Sequence, residues 1–473
     1  MNGTKHESEA RSGSVAKDRR RARPLLLPER TMYRDGRTPF TSVFPVKLAG
    51  EIEESRLRHA LALVQKKHPL LRCVINCTAD RPWFALQDEP APISLRIVER
   101  GGENDWQTEV RKEWVAPFDA TLEPLVRLVW LRGEKVHEFI LVAHHSICDG
   151  IAGINLLREC LTAYDQPDHD LGSYDALGGV EDIVPAGLLQ SQRFRYRVRW
   201  KIGVLRLALS LKRRSKRKRA GPRISAERMY FHRWNIGEGT MEALTQRCRA
   251  ENVTVLAAVS MAFMQAFRDV LGPQSLSKTY TMVNARRFLP GLRGDAMFGI
   301  APSVALGMKR LPPLQNMSVD GFWSRARVTK TDLNRRIEHM GADLYCYLVG
   351  LEGLHRDYAK FVAYFDEAPA VRHLTLSNMG QIDLPQQFRS FRLEKVYSPL
   401  VMVSPTPANT VVVSSFGGQL EFAIVSDEHS LARVEAFAIE QRAMTILRTC
   451  IEMAAKHQLS PTDNMPKVRA NTI

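Results

Sequence analysis

Hydrophobic and polar positions follow two different rhythms along this chain, and together they predict an α/β (α+β) fold. The stretch Ser42-Val43-Phe44-Pro45-Val46-Lys47-Leu48 reads as a strand. A helix is expected from about Glu53, because Leu57, Leu61 and Val64 recur at spacings of three and four and form one apolar stripe. It stops at His68-Pro69, since proline has no N–H to continue the ladder, and a second strand follows over 72–76. Further strands are expected over 94–98, 125–131 and 138–143. The run Phe139-Ile140-Leu141-Val142-Ala143 has no polar position, as suits a strand covered on both faces. A helix over 153–164 places Ile154, Leu157 and Leu161 on one side.

A stretch rich in Asp, Gly and Pro over 165–190 interrupts this pattern, and a second set of elements begins near Arg228. It comprises helices over 241–251 and 254–271, strands over 278–283, 373–377, 410–414 and 420–425, and a closing amphipathic helix over 431–455. Gly417-Gly418 between the last two strands is a hairpin signal. No repeat of solenoid period is present. The expected domains are a basic, disordered leader (1–23), a first lobe (24–175), a linker with a basic amphipathic segment (176–227) and a second lobe (228–460).

Composition adds little to this picture, and charge adds more. Hydrophobic residues make up 44% and charged residues 25%, which is ordinary for a globular protein. The seven cysteines are odd in number and contain no Cys-x-x-Cys pair, which argues against a disulfide framework or structural zinc and suggests a reducing cytoplasm. Leu25-Leu26-Leu27 is too short for a signal-peptide core or a membrane span, so a soluble or surface-bound protein is expected. The formal net charge is +16, and residues 193–219 hold 13 basic residues and no acidic one. That segment also carries Trp200, Ile202, Val204, Leu205, Leu207, Leu209 and Leu211.

The chemistry concentrates in His144-His145-Ser146-Ile147-Cys148-Asp149-Gly150, which places two imidazoles where a buried strand turns into a helix. A neutral histidine there can take a proton from an alcohol or amine. Asp149 can fold back to fix the turn, and Gly150 offers backbone angles that other residues resist. The plainer reading, surface decoration or a satisfied core histidine, stays open on these residues alone. A metal site is disfavoured because neighbouring side chains on a strand point to opposite faces.

The full segment resembles the His-His-x-x-x-Asp-Gly hallmark of the condensation-domain and chloramphenicol-acetyltransferase-like superfamily. His68-Pro69-Leu70-Leu71-Arg72, Ser377-Asn378-Met379-Gly380, and Ser414-Ser415-Phe416-Gly417-Gly418 fall in the order found there, so the resemblance covers residues 28–455. Freestanding alcohol and phthiocerol-dimycocerosyl-type acyltransferases look nearest in pattern. The plant enzymes' Asp-Phe-Gly-Trp-Gly signature is replaced here by Asp295-Ala296-Met297-Phe298-Gly299.

The resemblance implies two chloramphenicol-acetyltransferase-like lobes with a central tunnel. It also implies an acyltransferase that moves an acyl group from a thioester to an alcohol or amine, in lipid or secondary metabolism. His145 would be the general base, with His144, Asp149 and Gly150 in support. Arg286 and Arg287 are candidates to hold Asp149, while Ser377 and Asn378 are candidates to border the tunnel or simply form a turn. No bound cofactor or metal is expected; the co-substrate would be acyl-CoA or a phosphopantetheinyl acyl carrier protein. No Gly-x-Ser-x-Gly elbow is present, in keeping with a mechanism that has no acyl-enzyme.

The alternative is a catalytically inactive condensation-like protein that binds a carrier protein or a membrane surface. The segment 193–219 could meet anionic membrane, dock an acyl carrier protein or steer CoA phosphates, or serve as a solubilising linker. Nucleic acid is not expected, for want of a groove-reading motif. The implied location is cytoplasmic, with a peripheral position on the inner membrane face as an option.

Overall fold

The computed structural model describes residues 21–36, 40–78, 81–215, 226–272, 278–300, 302–306, 318–366, 373–401 and 408–458. The first lobe opens with β1 (Ala22–Pro24), α1 (Leu27–Tyr33), β2 (Thr41–Gly50) and α2 (Glu54–Lys67). There follow β3 (Cys73–Thr78), β4 (Arg81–Leu86), β5 (Ser94–Glu99), α3 (Asp105–Val115), β6 (Val126–Arg132), β7 (Val136–His144) and α4 (Gly150–Asp165). Strands β1, β4 and β3 make a small separate sheet. The main sheet places β7 between β2 and β6, with Thr41 opposite His144. Every residue of β7 from His137 to His144 is buried. Alternate side chains face opposite ways, so both faces of this strand are covered, as its unbroken apolar run requires.

The linking region contains α5 (Ala186–Gln190) and α6 (Gln192–Ser215). The second lobe continues with β8 (Met229–Ile236), α7 (Glu238–Ala250), α8 (Val255–Leu271), β9 (Lys278–Met282), β10 (Ser303–Leu306), α9 (Val319–Glu352) and α10 (Tyr358–Asp366). It closes with β11 (His373–Gln381), β12 (Phe391–Val396), β13 (Leu400–Val401), β14 (Ala408–Phe416), β15 (Gln419–Asp427) and α11 (Arg433–Gln458). Its sheet runs β10-β9-β11-β14-β15-β8. Helices α8 and α11 pack together over a core that includes Phe263, Phe267, Leu374 and Phe422. Gly417 and Gly418 both have positive φ, which gives β14 and β15 the two-residue hairpin their sequence predicts.

Several expectations are corrected. The leader ends earlier than residue 23: the Arg23 guanidinium makes two 2.7 Å hydrogen bonds to Glu29, and both side chains are buried. Residues 1–20 lie outside the described residues. Strands β12 and β13 do not join the second sheet, although they lie within 228–460. They pair with β2 and extend the first sheet, so the two lobes exchange structure.

The basic amphipathic segment expected within 176–227 forms a helix over Gln192–Ser215. Helix α6 packs on α9 and α10 through Ile202 and Leu209. Finally, Ser377–Gly380 is not a turn. Strand β11 continues through it with a bulge between Asn378 and Gly380, where Gly380 has φ +69°.

Candidate active site

Strand β7 delivers His144 and His145 to the edge of the first lobe, and Asp149 starts α4 five residues after His144. Asp149 has extended backbone angles, and its Oδ1 accepts a 2.8 Å hydrogen bond from Ala152 N. This N-cap is worth about 1 kcal/mol. Oδ2 takes Arg286 Nε at 3.2 Å and Nη2 at 3.1 Å, with both side chains buried. The rest of that guanidinium reaches the carbonyls of Ala296 at 2.9 Å and Phe298 at 3.0 Å, with Arg293 and Gly294 at 3.2 and 3.3 Å. One arginine of the second lobe therefore fixes both the helix-capping carboxylate of the first lobe and the irregular segment over 293–298 that crosses beside it. Arg287 instead points to solvent and pairs with Glu338 at 3.3 Å.

The two histidines have the same chemistry and different surroundings. The His144 ring lies among Tyr33 and Phe118, and its Nδ1 lies 2.8 Å from Ser146 Oγ. Burial, with smaller contributions from His145 and Arg127, drives its pKa down to about 3, so it stays neutral. The His145 ring stacks near Phe40, and its Nδ1 lies 2.5 Å from the carbonyl of Cys148. A carbonyl only accepts, so Nδ1 must carry the hydrogen, and the lone pair resides on Nε2. No hydrogen bond joins Nε2 to another of the described residues.

Burial also lowers the pKa of His145, opposed by the Cys148 carbonyl and the negative charge of Asp149. This imidazole is therefore neutral at neutral pH, fixed in one tautomer, and able to accept a proton at Nε2.

Two glycines shape the loop by the space they leave. Gly150 does not need special backbone angles, because its φ is not positive. The expectation that it does is corrected: a Cβ there would stand 2.6 Å from Met379 Cε. Met379 lies in the β11 bulge, so Ser377-Asn378-Met379-Gly380 meets the histidine turn through its methionine. Ser377 is half-buried and Asn378 exposed, its Oδ1 accepting from Gly380 N at 3.1 Å. Gly299 is stricter, since a Cβ would lie 2.3 Å from the His145 carbonyl oxygen and 2.7 Å from that of Ser146. Neither atom can move without moving the loop.

A second link ties the lobes a short distance away. Lys67 Nζ reaches Glu159 at 2.6 Å and Asp295 at 3.1 Å, His68 Nε2 reaches Glu159 at 2.6 Å, and Tyr174 donates to Asp295. Burial alone would raise the Asp295 pKa, but hydrogen bonds from Tyr174 and Lys67 outweigh it and hold it at about 2. Burial works against the Lys67 charge, and its two carboxylate partners raise its pKa nonetheless. His68 and Tyr174 also line a cavity with Cys73, Phe84, Ala296 and Met297, and His145 does not line it.

Sequence reasoning missed Gly299, Met379 and this lysine–carboxylate network. Asp295 and Gly299 were visible only as the ends of a five-residue signature, with no sign of what they touch.

Comparison with known proteins gives the geometry a context. A family model described as "Condensation domain" matches residues 32–272, just over half of the chain. Tyrocidine synthase 3 from Brevibacillus parabrevis is 29% identical over 124 residues, which is 26% of this chain and only 2% of that protein. Among solved structures, the TRI3 trichothecene 15-O-acetyltransferase from Fusarium sporotrichioides superposes with a TM-score of 0.67 at 12% identity, covering 91% of this chain and 95% of that one. Polyketide synthase associated protein 5 from Mycobacterium tuberculosis gives a TM-score of 0.62 at 15% identity, covering 91% and 98%. At these identities the structural matches establish a shared two-lobe fold.

Proposed function

The chain belongs to the condensation-domain family, and from that premise we propose that it is an acyltransferase moving an acyl group from a thioester to a hydroxyl or amine, with His145 as general base. The donor is a CoA or phosphopantetheinyl carrier thioester. Nε2 of His145 takes the acceptor's proton as the oxygen or nitrogen attacks the thioester carbonyl. The resulting tetrahedral oxyanion collapses, the C–S bond breaks, and the thiolate leaves with the proton held on the imidazole. The products are a thiol and an ester or amide, and the base is neutral again.

One observation carries this reading: the Nδ1 contact with the Cys148 carbonyl leaves the Nε2 lone pair free on a ring that burial keeps neutral. His144, Asp149 and Arg286 act through position. They hold the turn and the crossing segment, and none of them needs to touch substrate. The TRI3 neighbour is by name an O-acetyltransferase, which supports oxygen as an acceptor atom.

Thiol release from a panel of acyl-CoA and acyl-carrier thioesters, mixed with alcohols and amines, tests the proposal on wild type and His145→Ala. Both proteins are first shown to be folded by circular dichroism. Release that requires an acceptor and drops about 100-fold or more in the variant is expected. Equal acceptor-dependent release from both would remove His145 from the chemistry. A wild type silent toward every donor would favour the inactive, carrier-binding alternative.

A further inference from the structure

Helix α6 has two apolar faces, and only one of them is used. Its inner face carries Phe194, Ile202 and Leu209, all buried, and Ile202 and Leu209 pack with Leu27, Leu354 and Phe361. At 100° per residue, Tyr196, Trp200, Val204, Leu207 and Leu211 fall together on the opposite side. All five are exposed, from 48% at Val204 to 70% at Tyr196. They account for five of the eleven large hydrophobic side chains exposed among the described residues, so this is a concentration and not scatter. The stripe is about 22 Å long, given the rise of an α-helix.

Cations border the stripe on both sides. Arg197 and Lys201 run along one edge, where both pair with Asp343. Arg195, Arg199 and Arg206 run along the other, and Arg206 pairs with Asp357. Arg193, Arg195 and Arg199 are exposed and, among the described residues, lack an acidic partner. The sequence beyond Leu211 adds seven more basic residues up to Arg219 without an acidic one.

We infer that the outer face of α6 seats this protein on an anionic lipid bilayer. The helix lies flat, the apolar stripe enters the boundary between headgroups and acyl chains, and the flanking arginines meet lipid phosphates. An acidic carrier protein is the competing partner for a basic helix. It would draw on the charges and leave the continuous stripe of Trp, Leu and Val facing a polar surface. The stripe therefore favours lipid. Among the described residues no single helix is long and apolar enough to cross a membrane, and the contact inferred for α6 is peripheral. The inner face is anchored on the second lobe, and Gly350 of α9 lets Ile202 approach so closely that a Cβ there would lie 2.6 Å from it. The helix is thus presented without needing to unfold.

The test is co-sedimentation of the full chain with vesicles of phosphatidylcholine alone and of phosphatidylcholine containing about 30 mol% phosphatidylglycerol. Wild type is compared with the triple variant Trp200→Ser/Leu207→Ser/Leu211→Ser. Its altered side chains are all exposed, and circular dichroism checks that its helix content is unchanged. Wild type is expected to partition at least about tenfold more strongly onto the anionic vesicles, and to be released by salt. The triple variant is expected to lose about tenfold or more of that binding, because the apolar contribution is gone. The proposal is overturned if wild type stays in the supernatant, if it binds both vesicles equally, or if the variant binds as wild type does. It is equally overturned if a phosphopantetheinyl acyl carrier protein, and no vesicle, is retained by wild type and released by the variant. None of these readouts depends on acyl transfer.

Discussion

In the turn from His144 to Gly150, most polar side-chain atoms of the described residues are closed on a partner, and the one open lone pair of the two imidazoles is on Nε2 of His145: His144 Nδ1 accepts from Ser146 N, so its own Nε2 carries the hydrogen. Along the outer side of α6 the reverse holds: cations stand in solvent beside exposed tryptophan and leucine. Both segments carry dense runs of unusual residues, and both attract attention in the sequence. Their difference lies in what surrounds them. A neutral imidazole held in one tautomer with its lone pair open is a base in waiting, so the turn points to chemistry. An exposed apolar stripe costs little in the isolated fold, so α6 points to a partner.

The largest effect is expected where the turn is held. Arg286→Met removes one member of a buried ion pair and leaves Asp149 and four carbonyls with fewer donors. Urea denaturation should show a loss of about 3 to 5 kcal/mol. Surface-like behaviour, with a loss under about 0.5 kcal/mol, would mean that the bridge does not organise the lobes.

Helix α6 provides its own internal contrast. Leu209→Ala, on the buried face, should cost about 2 kcal/mol or more, whereas Leu207→Ala, two residues away, should stay within about 0.5 kcal/mol. Equal costs would show that the helix is not seated on α9 and α10 as described.

A smaller effect separates the two inter-lobe links by pH. The Asp295 pKa in the fold is about 2, below the ordinary aspartate value of 3.8. Its contribution is therefore complete above about pH 4 and is lost as the pH falls toward 2. The Tm difference between wild type and Asp295→Asn should be constant at neutral pH and shrink on acidification through that window. A difference that grows on acidification would contradict the assigned hydrogen bonds.

Much of this was legible in the residues, and the failures have definite causes. The unbroken apolar run of β7, the proline stop after α2 and the Gly417-Gly418 hairpin follow from local rules, and the structure bears them out. The pairing of the Asp149 side chain with one of two adjacent arginines could not be decided locally, because Arg286 and Arg287 differ only in direction.

Helix α9, 34 residues long, was missed although Phe322, Trp323, Ala326, Thr329 and Leu333 repeat at helical spacing. Gly341 and Gly350 within it serve close packing: a Cβ at Gly341 would lie 2.4 Å from the Phe288 ring. The return of β12 and β13 to the first sheet is a matter of tertiary pairing that strand propensity cannot express. The Gly299 requirement depends on two carbonyls more than 150 positions earlier in the chain, and no local pattern encodes such a contact.

The most direct test of the central claim is the pH dependence of acceptor-dependent thiol release in wild type and His145→Ala. A base whose pKa is lowered by burial should keep wild-type activity level from neutral pH down past 6.5, with the acid limb below that value. The variant should be slower by about 100-fold or more and should lose that limb. If the limb appears at the same pH in both proteins, another group takes the proton, and His145 is part of the scaffold alone.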